Sequence, residues 1–402
     1  MKTPIAPPLR SGVARLPRPR DVLNEFGIYV HVPFCSHRCW YCDFNAYAGL
    51  DDQIEPYMNA LAHDAAFAFS APVDADLADR PTVTSIFIGG GTPSLVPASS
   101  IVRVVDAIRD GWAVASDTEI TIECNPESIT LDKLDSYLGG GINRISFGVQ
   151  SLDNALLSKL GRIHDAQTAL SAMRLASEAG FENISADLIF GVPDETGDAW
   201  RASLDGVLAT GVGHLSCYAL IYEEGTPLES WKRLGKVIPV ADDDVAHRWD
   251  VTNDVLSGAG FERYEISNWT KPGRESRHNS LYWKCGEYLG IGAGAHSHLA
   301  TSGGSVRSWT VKSPERYATG VKPAAFEHID LRMRAAEVML LGLRTTNGVP
   351  LGRFNDLVGL AIEDVFAAEL DEGVARGLLD VSDEAVRLTQ PFLANEAVVL
   401  FV

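Results

Sequence analysis

The sequence is short of positive charge and of long apolar runs. Its 402 residues carry 34 lysines and arginines against 53 aspartates and glutamates, giving a formal net charge of −19. Nucleic acids and anionic membranes are bound by clustered basic side chains, so this balance argues against a nucleic-acid partner. No apolar run approaches the roughly 20 residues needed to cross a bilayer. The sequence therefore predicts no transmembrane segment.

Cysteine is also scarce, with six residues in the whole chain. This is too few for a disulfide scaffold in a chain of this length, which favours a reducing compartment. Residues 1–26 contain several arginines among prolines but lack the apolar core of a secretory signal. We therefore expect a cytoplasmic protein whose residues 1–26 form a flexible N-terminal arm.

From about residue 28 to residue 265, short β-rich runs alternate with amphipathic segments. The predicted strands are 28–32, 85–90, 119–124, 142–149, 183–191 and 214–221, and the predicted helices include 52–70, 98–110, 166–179, 198–209 and 243–257. Near-continuous apolar strands that alternate with helices indicate a parallel sheet covered on both faces. The sequence predicts an α/β fold: a partial (β/α) barrel domain over 27–300, with six or so βα units. A doubly wound open sheet is the competing arrangement.

The alternation fades after residue 300. Segments 332–349 and 362–381 have helical patterns, and 385–390 followed by 397–402 suggests a terminal hairpin. We expect residues 301–402 to form a small, mainly helical C-terminal domain of winged-helix type.

Three cysteines directly follow the first predicted strand. Cys35, Cys39 and Cys42 have C-x3-C-x2-C spacing, and thiolates are soft ligands that favour zinc and iron–sulfur clusters. Structural zinc usually takes four ligands in two pairs; no second pair exists, although His31 or His37 can complete such a site. A disulfide would leave one of the three cysteines unpaired. A [4Fe–4S] cluster held by three thiolates, with one iron open, fits best.

Polar or glycine-rich features recur at the ends of the next strands. GGGTP (89–93) ends the second strand, Glu123 closes the third and Gln150 follows the fourth. Chemistry in (β/α) barrels gathers at the C-terminal ends of strands. Glycines let backbone amides approach a ligand closely, and a carboxylate such as Glu123 can accept a ribose hydroxyl or simply be solvated.

The cysteine spacing, with Tyr41 inside it and GGGTP after it, resembles the radical S-adenosylmethionine (SAM) superfamily. That resemblance implies a [4Fe–4S] cluster on Cys35, Cys39 and Cys42, whose open iron chelates SAM. YVHVPFC (29–35), IECNPES (122–128), RISFGVQS (144–151), LGRIH (160–164), DLIFGVP (187–193) and GTPL (225–228) resemble the branch of oxygen-independent coproporphyrinogen III oxidase and its relatives. The resemblance implies a SAM cavity formed by Tyr29, Tyr41, Gly90, Gly91, Thr92, Glu123, Gln150, Arg162, Asp187 and Ala219.

One position departs from the oxidase pattern. The oxidases continue as C-x3-C-x2-C-x-C, and this chain has Phe44 where they have the fourth cysteine. Three thiolates already satisfy the cluster, so the superfamily resemblance is untouched. The departure argues against coproporphyrinogen oxidase activity.

HNSLYW (278–283) resembles the signature of HemW-type haem chaperones, which are relatives of the oxidase. His278 can ligate haem iron, and Tyr282 and Trp283 can pack on a porphyrin face; the alternative is an ordinary loop histidine beside core aromatics. This segment follows the last predicted barrel strand, so we expect it to place haem near the barrel mouth rather than inside the SAM cavity. The further candidate ligands are His296, Cys285 and His298.

We therefore expect a haem chaperone that passes haem to an acceptor haemoprotein, by family implication a membrane-bound respiratory component. Its cofactors would be a [4Fe–4S] cluster, SAM and haem. The alternatives are the oxidase itself and another radical SAM enzyme, such as a methyltransferase.

Overall fold

The structure is a computed structural model that describes residues 18–68, 71–72, 75–77, 80–301, 304–320 and 323–402. Most of the predicted N-terminal arm, residues 1–17, lies outside these ranges, as do residues 69 and 70 at the end of the first predicted helix. In the described ranges, no helix is both long and apolar enough to cross a bilayer.

The strands of the described residues form one large sheet and two small ones. They are β1 (Phe26–Val32), β2 (Phe34–Cys35), β3 (Tyr47–Ala48), β4 (Val83–Gly90), β5 (Val114–Cys124), β6 (Arg144–Gln150), β7 (Asn183–Phe190), β8 (His214–Ala219), β9 (Glu262–Arg263), β10 (Asn268–Thr270), β11 (Glu287–Ile291), β12 (His296–Thr301), β13 (Gly304–Thr310), β14 (Pro323–Ile329), β15 (Val349–Pro350), β16 (Leu379–Val381) and β17 (Ala385–Leu388).

The α-helices lie mostly between successive strands. They are α1 (Pro19–Leu23), α2 (Ile54–Phe67), α3 (Ala98–Gly111), α4 (Leu131–Gly139), α5 (Asn154–Leu160), α6 (Ala166–Ala179), α7 (Gly197–Leu208), α8 (Pro227–Arg233), α9 (Asp242–Gly258), α10 (Arg277–Trp283), α11 (Pro314–Ala318), α12 (Leu331–Gly342), α13 (Leu351–Val358), α14 (Ile362–Ala375) and α15 (Ala394–Val398).

The centre of the large sheet is a parallel run in the order β11-β1-β4-β5-β6-β7-β8. All six predicted strands belong to it, and strands that follow one another in the chain lie side by side, as in a barrel. Within the described residues no pairing joins its outermost strands, β14 and β9. The prediction of a partial (β/α) barrel is confirmed, and the doubly wound alternative is wrong because the strand order does not reverse.

Alternation along each strand separates two environments. On β1, Ile28, Val30 and Val32 are buried in the main core, whereas Tyr29 and His31 face the barrel interior, where their rings meet each other. The covering helices bury one stripe, as on α3 with Ile101, Val104, Val105 and Ile108 at helical spacing. The inward-facing positions are therefore occupied by polar side chains, and these form the candidate site.

The sheet continues past the expected domain boundary at residue 300. Strands β12, β13 and β14 extend it as an antiparallel run to Ile329, and Leu299 and Val306 belong to the main core. The second core is built mainly from residues after Ala335. The packing therefore changes near residue 330 rather than at 300.

The region after residue 330 has the element order α12, β15, α13, α14, β16, β17, with sheet order β15-β17-β16. The order is compatible with the expected winged-helix type, which stays a prediction. The hairpin expected between 385–390 and 397–402 is wrong, because β17 pairs with β16 and residues 394–401 are helical. Ala394, Ala397, Val398 and Phe401 are buried at helical spacing, so helix is the conformation that covers the second core.

The N-terminal segment is packed from residue 18 onward. Helix α1 carries Arg20, which is 8% exposed and whose Nη1 lies 3.2 Å from Glu287 Oε2 on β11. The Arg20 backbone N–H also donates to Glu287 Oε1 at 3.1 Å. The expectation of a flexible arm therefore does not hold for residues 18–26.

Candidate functional site

A cavity of about 130 Å³ opens at the C-terminal ends of the parallel strands. Its lining includes all three motif cysteines and eight of the ten residues assigned by resemblance to the SAM cavity. These are Cys35, Cys39 and Cys42 with Tyr41, Gly90, Gly91, Thr92, Glu123, Gln150, Arg162 and Asp187. The structure thus brings together residues that are up to 152 positions apart in the chain, from Cys35 to Asp187.

Two backbone contacts hold the cysteine loop against the GGGTP segment. The N–H of Gly91 donates to the carbonyl of Val32 and that of Thr92 to the carbonyl of Phe34, both at 2.8 Å. A Cβ on Gly91 would lie 2.8 Å from the Phe34 oxygen, and one on Gly90 (φ +118°) would lie 2.6 Å from the His31 ring. Only glycine permits this approach, which explains the first part of the motif.

The three thiols suit a cluster. All are free and half-buried, and burial raises the pKa of Cys42 to about 11 and that of Cys35 above its usual value, with the neighbouring cysteines adding to both effects. Three adjacent thiolates therefore need a positive partner, which iron supplies as it displaces the protons.

The zinc alternative required a histidine. Both ring nitrogens of His31 are already used, by the Tyr29 hydroxyl at 2.9 Å and the Asn45 carbonyl at 3.0 Å. In the part of the chain that the structure describes, no group of three His, Cys, Asp or Glu side chains could hold a single metal ion.

Two carboxyl groups face the cavity beneath the cysteines. Glu123 Oε2 accepts the Gly90 N–H at 3.1 Å, and the hydroxyl of Ser146 donates to Asp187 at 3.2 Å. Burial, and then the nearby Asp187 charge, raise the pKa of Glu123 to about 7; burial also raises the pKa of Asp187. Glu123 is thus a hydrogen-bond acceptor that changes protonation near neutral pH.

Gln150 reaches the cavity through a distortion of its strand. The pairing of β6 with β7 shifts register between Gly148 and Gln150, and Gln150 has a φ of +66°. A bulge with left-handed backbone at a non-glycine residue is a conformation that the surrounding structure must enforce. Such features concentrate at functional sites.

Arg162 spans the cavity. Its guanidinium donates to Cys39 Sγ at 3.4 Å, to Asn125 Oδ1 at 2.7 Å and to the Gly148 carbonyl at 2.9 Å. Its Nε is buried and finds no acceptor among the described residues, which leaves a donor for a ligand. Asn125 is a lining residue that the sequence analysis did not single out, although it lies within the quoted IECNPES segment.

Tyr29 and Ala219 are not among the residues that line the cavity as described. Tyr29 lies one layer deeper, with its ring 6.3 Å from that of Phe87. Ala219 ends β8, where it pairs with Phe190.

His278 lies away from the barrel mouth. Its side chain is fully buried, with Nδ1 2.9 Å from Ser85 Oγ and Nε2 2.8 Å from the Tyr282 hydroxyl, and its ring stacks on Phe87. Burial lowers its pKa to about 3. The expected placement near the mouth is therefore wrong, and neither ring nitrogen is open to iron in this conformation.

The two aromatic residues of the same motif border a separate cleft. Tyr282 and Trp283 line a space of about 370 Å³ beside the C-terminal domain, together with Cys285, Gly286, Tyr288, His298, Arg307, Glu337 and Leu341. Both ring nitrogens of His298 are bonded, to the Gly286 carbonyl and to Ser305 Oγ. Burial raises the pKa of Cys285 to about 12. His296 is exposed and stacks on Trp309.

Comparison with known proteins decides the family. Residues 29–206 match the model of the radical SAM superfamily, and residues 329–391 match that of the HemN C-terminal domain. The chain is 38% identical to the haem chaperone HemW of Mycobacterium tuberculosis over 91% of both chains. It is 34% identical to HemW of Bacillus subtilis, over 92% of this chain and 97% of that protein. The chain belongs to the HemW family of radical SAM proteins.

The solved structure of coproporphyrinogen III oxidase (HemN) from Escherichia coli shares the fold. It superposes with a TM-score of 0.78 over 94% of this chain and 90% of that one, at 21% identity. Membership of the radical SAM family implies a [4Fe–4S] cluster and SAM. The three free thiols, the glycine approach and the open Arg162 Nε fit both groups.

Proposed function

We propose that this protein is a haem chaperone: it binds haem and transfers it to an acceptor haemoprotein, and it carries a [4Fe–4S] cluster and SAM. The observation that supports this most strongly is the identity of 34–38% to HemW proteins over more than nine tenths of the chain. Phe44 supports it too, because the side chain at the oxidase's fourth cysteine position supplies no thiol.

The haem-contacting surface that we propose is the cleft bordered by Tyr282 and Trp283. Aromatic rings can pack on a macrocycle face, whereas the buried His278 supports the helix that carries both rings. As iron ligands we retain the exposed His296 and, inside the cleft, Cys285. The acceptor that we propose is a membrane-bound respiratory haemoprotein reached from the cytoplasm.

The test is a haem titration of the anaerobically reconstituted protein. A saturable Soret band, followed by transfer to an apo-haemoprotein faster than from free haem, is the expected result. Trp283→Leu should weaken haem binding. The matched control, Trp231→Leu, removes an indole whose ring lies tilted against that of Trp40, with centroids 5.8 Å apart, and should leave the titration unchanged. Weakened haem binding in Trp231→Leu, with unchanged binding in Trp283→Leu, would place haem at the barrel mouth.

The second candidate is coproporphyrinogen III oxidase activity, which the shared fold with HemN favours. An anaerobic assay with reductant, SAM and coproporphyrinogen III separates the two functions. We expect no protoporphyrinogen. Its formation at an enzymatic rate, without a saturable Soret band, would replace the chaperone proposal.

A further inference from the structure

A line of hydrogen bonds joins two of the cluster cysteines through three cavity side chains. Arg162 donates from Nη1 to Cys39 Sγ at 3.4 Å and from Nη2 to Asn125 Oδ1 at 2.7 Å. Asn125 Nδ2 donates to Thr92 Oγ1 at 3.1 Å, and the Thr92 hydroxyl donates to Cys35 Sγ at 3.5 Å. The three linking residues follow three different barrel elements: β4, β5 and α5.

The direction of each bond follows from the chemistry of the groups. A guanidinium only donates, so the amide of Asn125 must turn its oxygen toward Arg162 and its nitrogen toward Thr92. Thr92 then accepts from that nitrogen, and its own hydrogen is free for the sulfur of Cys35. One amide, in the middle of the line, therefore holds the guanidinium through its oxygen and leaves the Thr92 hydrogen free for sulfur.

Neighbouring groups keep this amide in place. The backbone N–H of Asn125 donates to Ser94 Oγ at 3.1 Å, and the Gly148 carbonyl accepts a second bond from Arg162 Nη2 at 2.9 Å. A Cβ on Gly148 would lie 3.4 Å from Asn125 Oδ1 and 3.5 Å from Arg162 Nη2. These are ordinary contact distances, so the amide and the guanidinium lie directly against the end of the strand.

We propose that Asn125 is a positioning residue: it aligns Thr92 and Arg162 as hydrogen-bond donors to the thiolates of Cys35 and Cys39, and so raises the reduction potential of the cluster. Reduction adds negative charge that the thiolate sulfurs share, and donors to sulfur favour the more negative state. The inference rests on the cluster that the family implies. It does not depend on whether the protein carries haem.

The experiment is a mediated redox titration of the reconstituted cluster, read by electron paramagnetic resonance. Asn125→Leu keeps the approximate volume of the side chain and removes the amide. We expect a more negative midpoint potential, equivalent to a fall of about tenfold in the equilibrium constant for reduction, since bonds to charged groups are worth at least that much. Thr92→Val removes one donor and should give a smaller shift. In the Asn125→Leu background, Thr92→Val should shift the midpoint potential by less than it does in the wild type, because both residues belong to the same line of hydrogen bonds.

A second readout reports the bonds to sulfur directly. In resonance Raman spectra the iron–thiolate stretching bands of the wild type should shift when water is exchanged for deuterium oxide, and this shift should shrink in Asn125→Leu. A loss of packing alone would not remove it.

Asn143 provides the matched control at the other end of the barrel. Its amide also makes two bonds, from the Ile120 N–H and to the Thr118 carbonyl, both at 2.8 Å. Asn143→Leu should lower stability and leave the potential and the Raman shift as in wild type.

A wild-type potential and isotope shift in Asn125→Leu would overturn the proposal, as would an equal change in Asn143→Leu. If Asn125→Leu fails to retain a cluster, the midpoint potentials of Thr92→Val and Arg162→Lys, measured in the same titration, test the proposal instead. Unchanged potentials in both would also overturn it. A failed haem titration would leave this result standing.

Discussion

His278 offers the sharpest test of how the signature helix works, because two explanations predict opposite results for one substitution. If His278 is an iron ligand, any residue without an imidazole abolishes haem coordination. If it is a buried support, a side chain that keeps its two hydrogen bonds keeps function. We therefore compare His278→Ala with His278→Gln, whose amide offers N–H donors and a carbonyl acceptor.

The structure gives the size of the stability effect. His278→Ala loses two hydrogen bonds, leaves Ser85 and Tyr282 with buried hydroxyl groups, and opens a cavity beside Phe87. Net hydrogen bonds of about 1 kcal/mol each and a cavity contribution of similar size give a loss of about 3–4 kcal/mol. His278→Gln should lose only the ring stacking and part of the packing, about 1–2 kcal/mol.

Urea unfolding of the cluster-free chain measures both losses, and haem titrations of the reconstituted variants measure function. We expect His278→Gln to bind haem with the wild-type Soret position, and His278→Ala to lose binding only in proportion to its unfolded fraction. A folded His278→Gln protein that has lost the Soret band would refute this reasoning. It would show that the helix opens and presents the imidazole to iron.

Three further predictions follow from single contacts. The pKa of Glu123 is about 7, and ionised carboxylates accept the stronger hydrogen bonds, so SAM affinity measured by calorimetry should fall as the pH is lowered from about 8 to about 6. Glu123→Gln should bind SAM weakly and with less pH dependence. An equal pH dependence of SAM affinity in the wild type and in Glu123→Gln would contradict this. Arg20→Met leaves the buried Glu287 carboxylate without its cationic partner and should lower the free energy of unfolding, measured in urea, by about 3–5 kcal/mol. Arg18→Met, at a more exposed site, should lower it by less than about 1 kcal/mol. Gly290→Ala would bring a Cβ to 1.9 Å from a β12 carbonyl, so we expect little soluble protein and a much lower melting temperature; a wild-type melting curve would show that the hairpin relaxes.

The sequence was sufficient for the strands whose partners lie next to them in the chain. Parallel strands buried on both faces are nearly continuous apolar runs, and all six predicted strands occur. Strand β11 escaped notice because Glu287 opens it, and a carboxylate predicts exposure. Its neutralising partner, Arg20, lies 267 residues away, and no local pattern reveals such a pair.

The candidate site divides in the same way. The cysteines, GGGTP and Glu123 could be located because each lies at the end of a predicted strand, where a barrel gathers its chemistry. Asn125 could not be assigned a role, since its importance lies in the two side chains that it joins, one 33 residues before it and one 37 after it. Spacing along the chain shows where a residue lies relative to the predicted strands, but it does not show which side chains it contacts.

The misplacement of His278 and the omission of Asn125 have one physical cause. A polar side chain without an evident local partner predicts exposure or a ligand, because burying it unpaired is costly. A (β/α) barrel removes that cost by bringing strands from distant parts of the chain around a polar interior. Ser85 meets His278 across 193 residues, and Arg162 meets Cys39 across 123. In this fold, a histidine or an asparagine in a motif can therefore support a ligand-binding residue or contact the ligand itself. Only its partners in the three-dimensional structure distinguish the two roles.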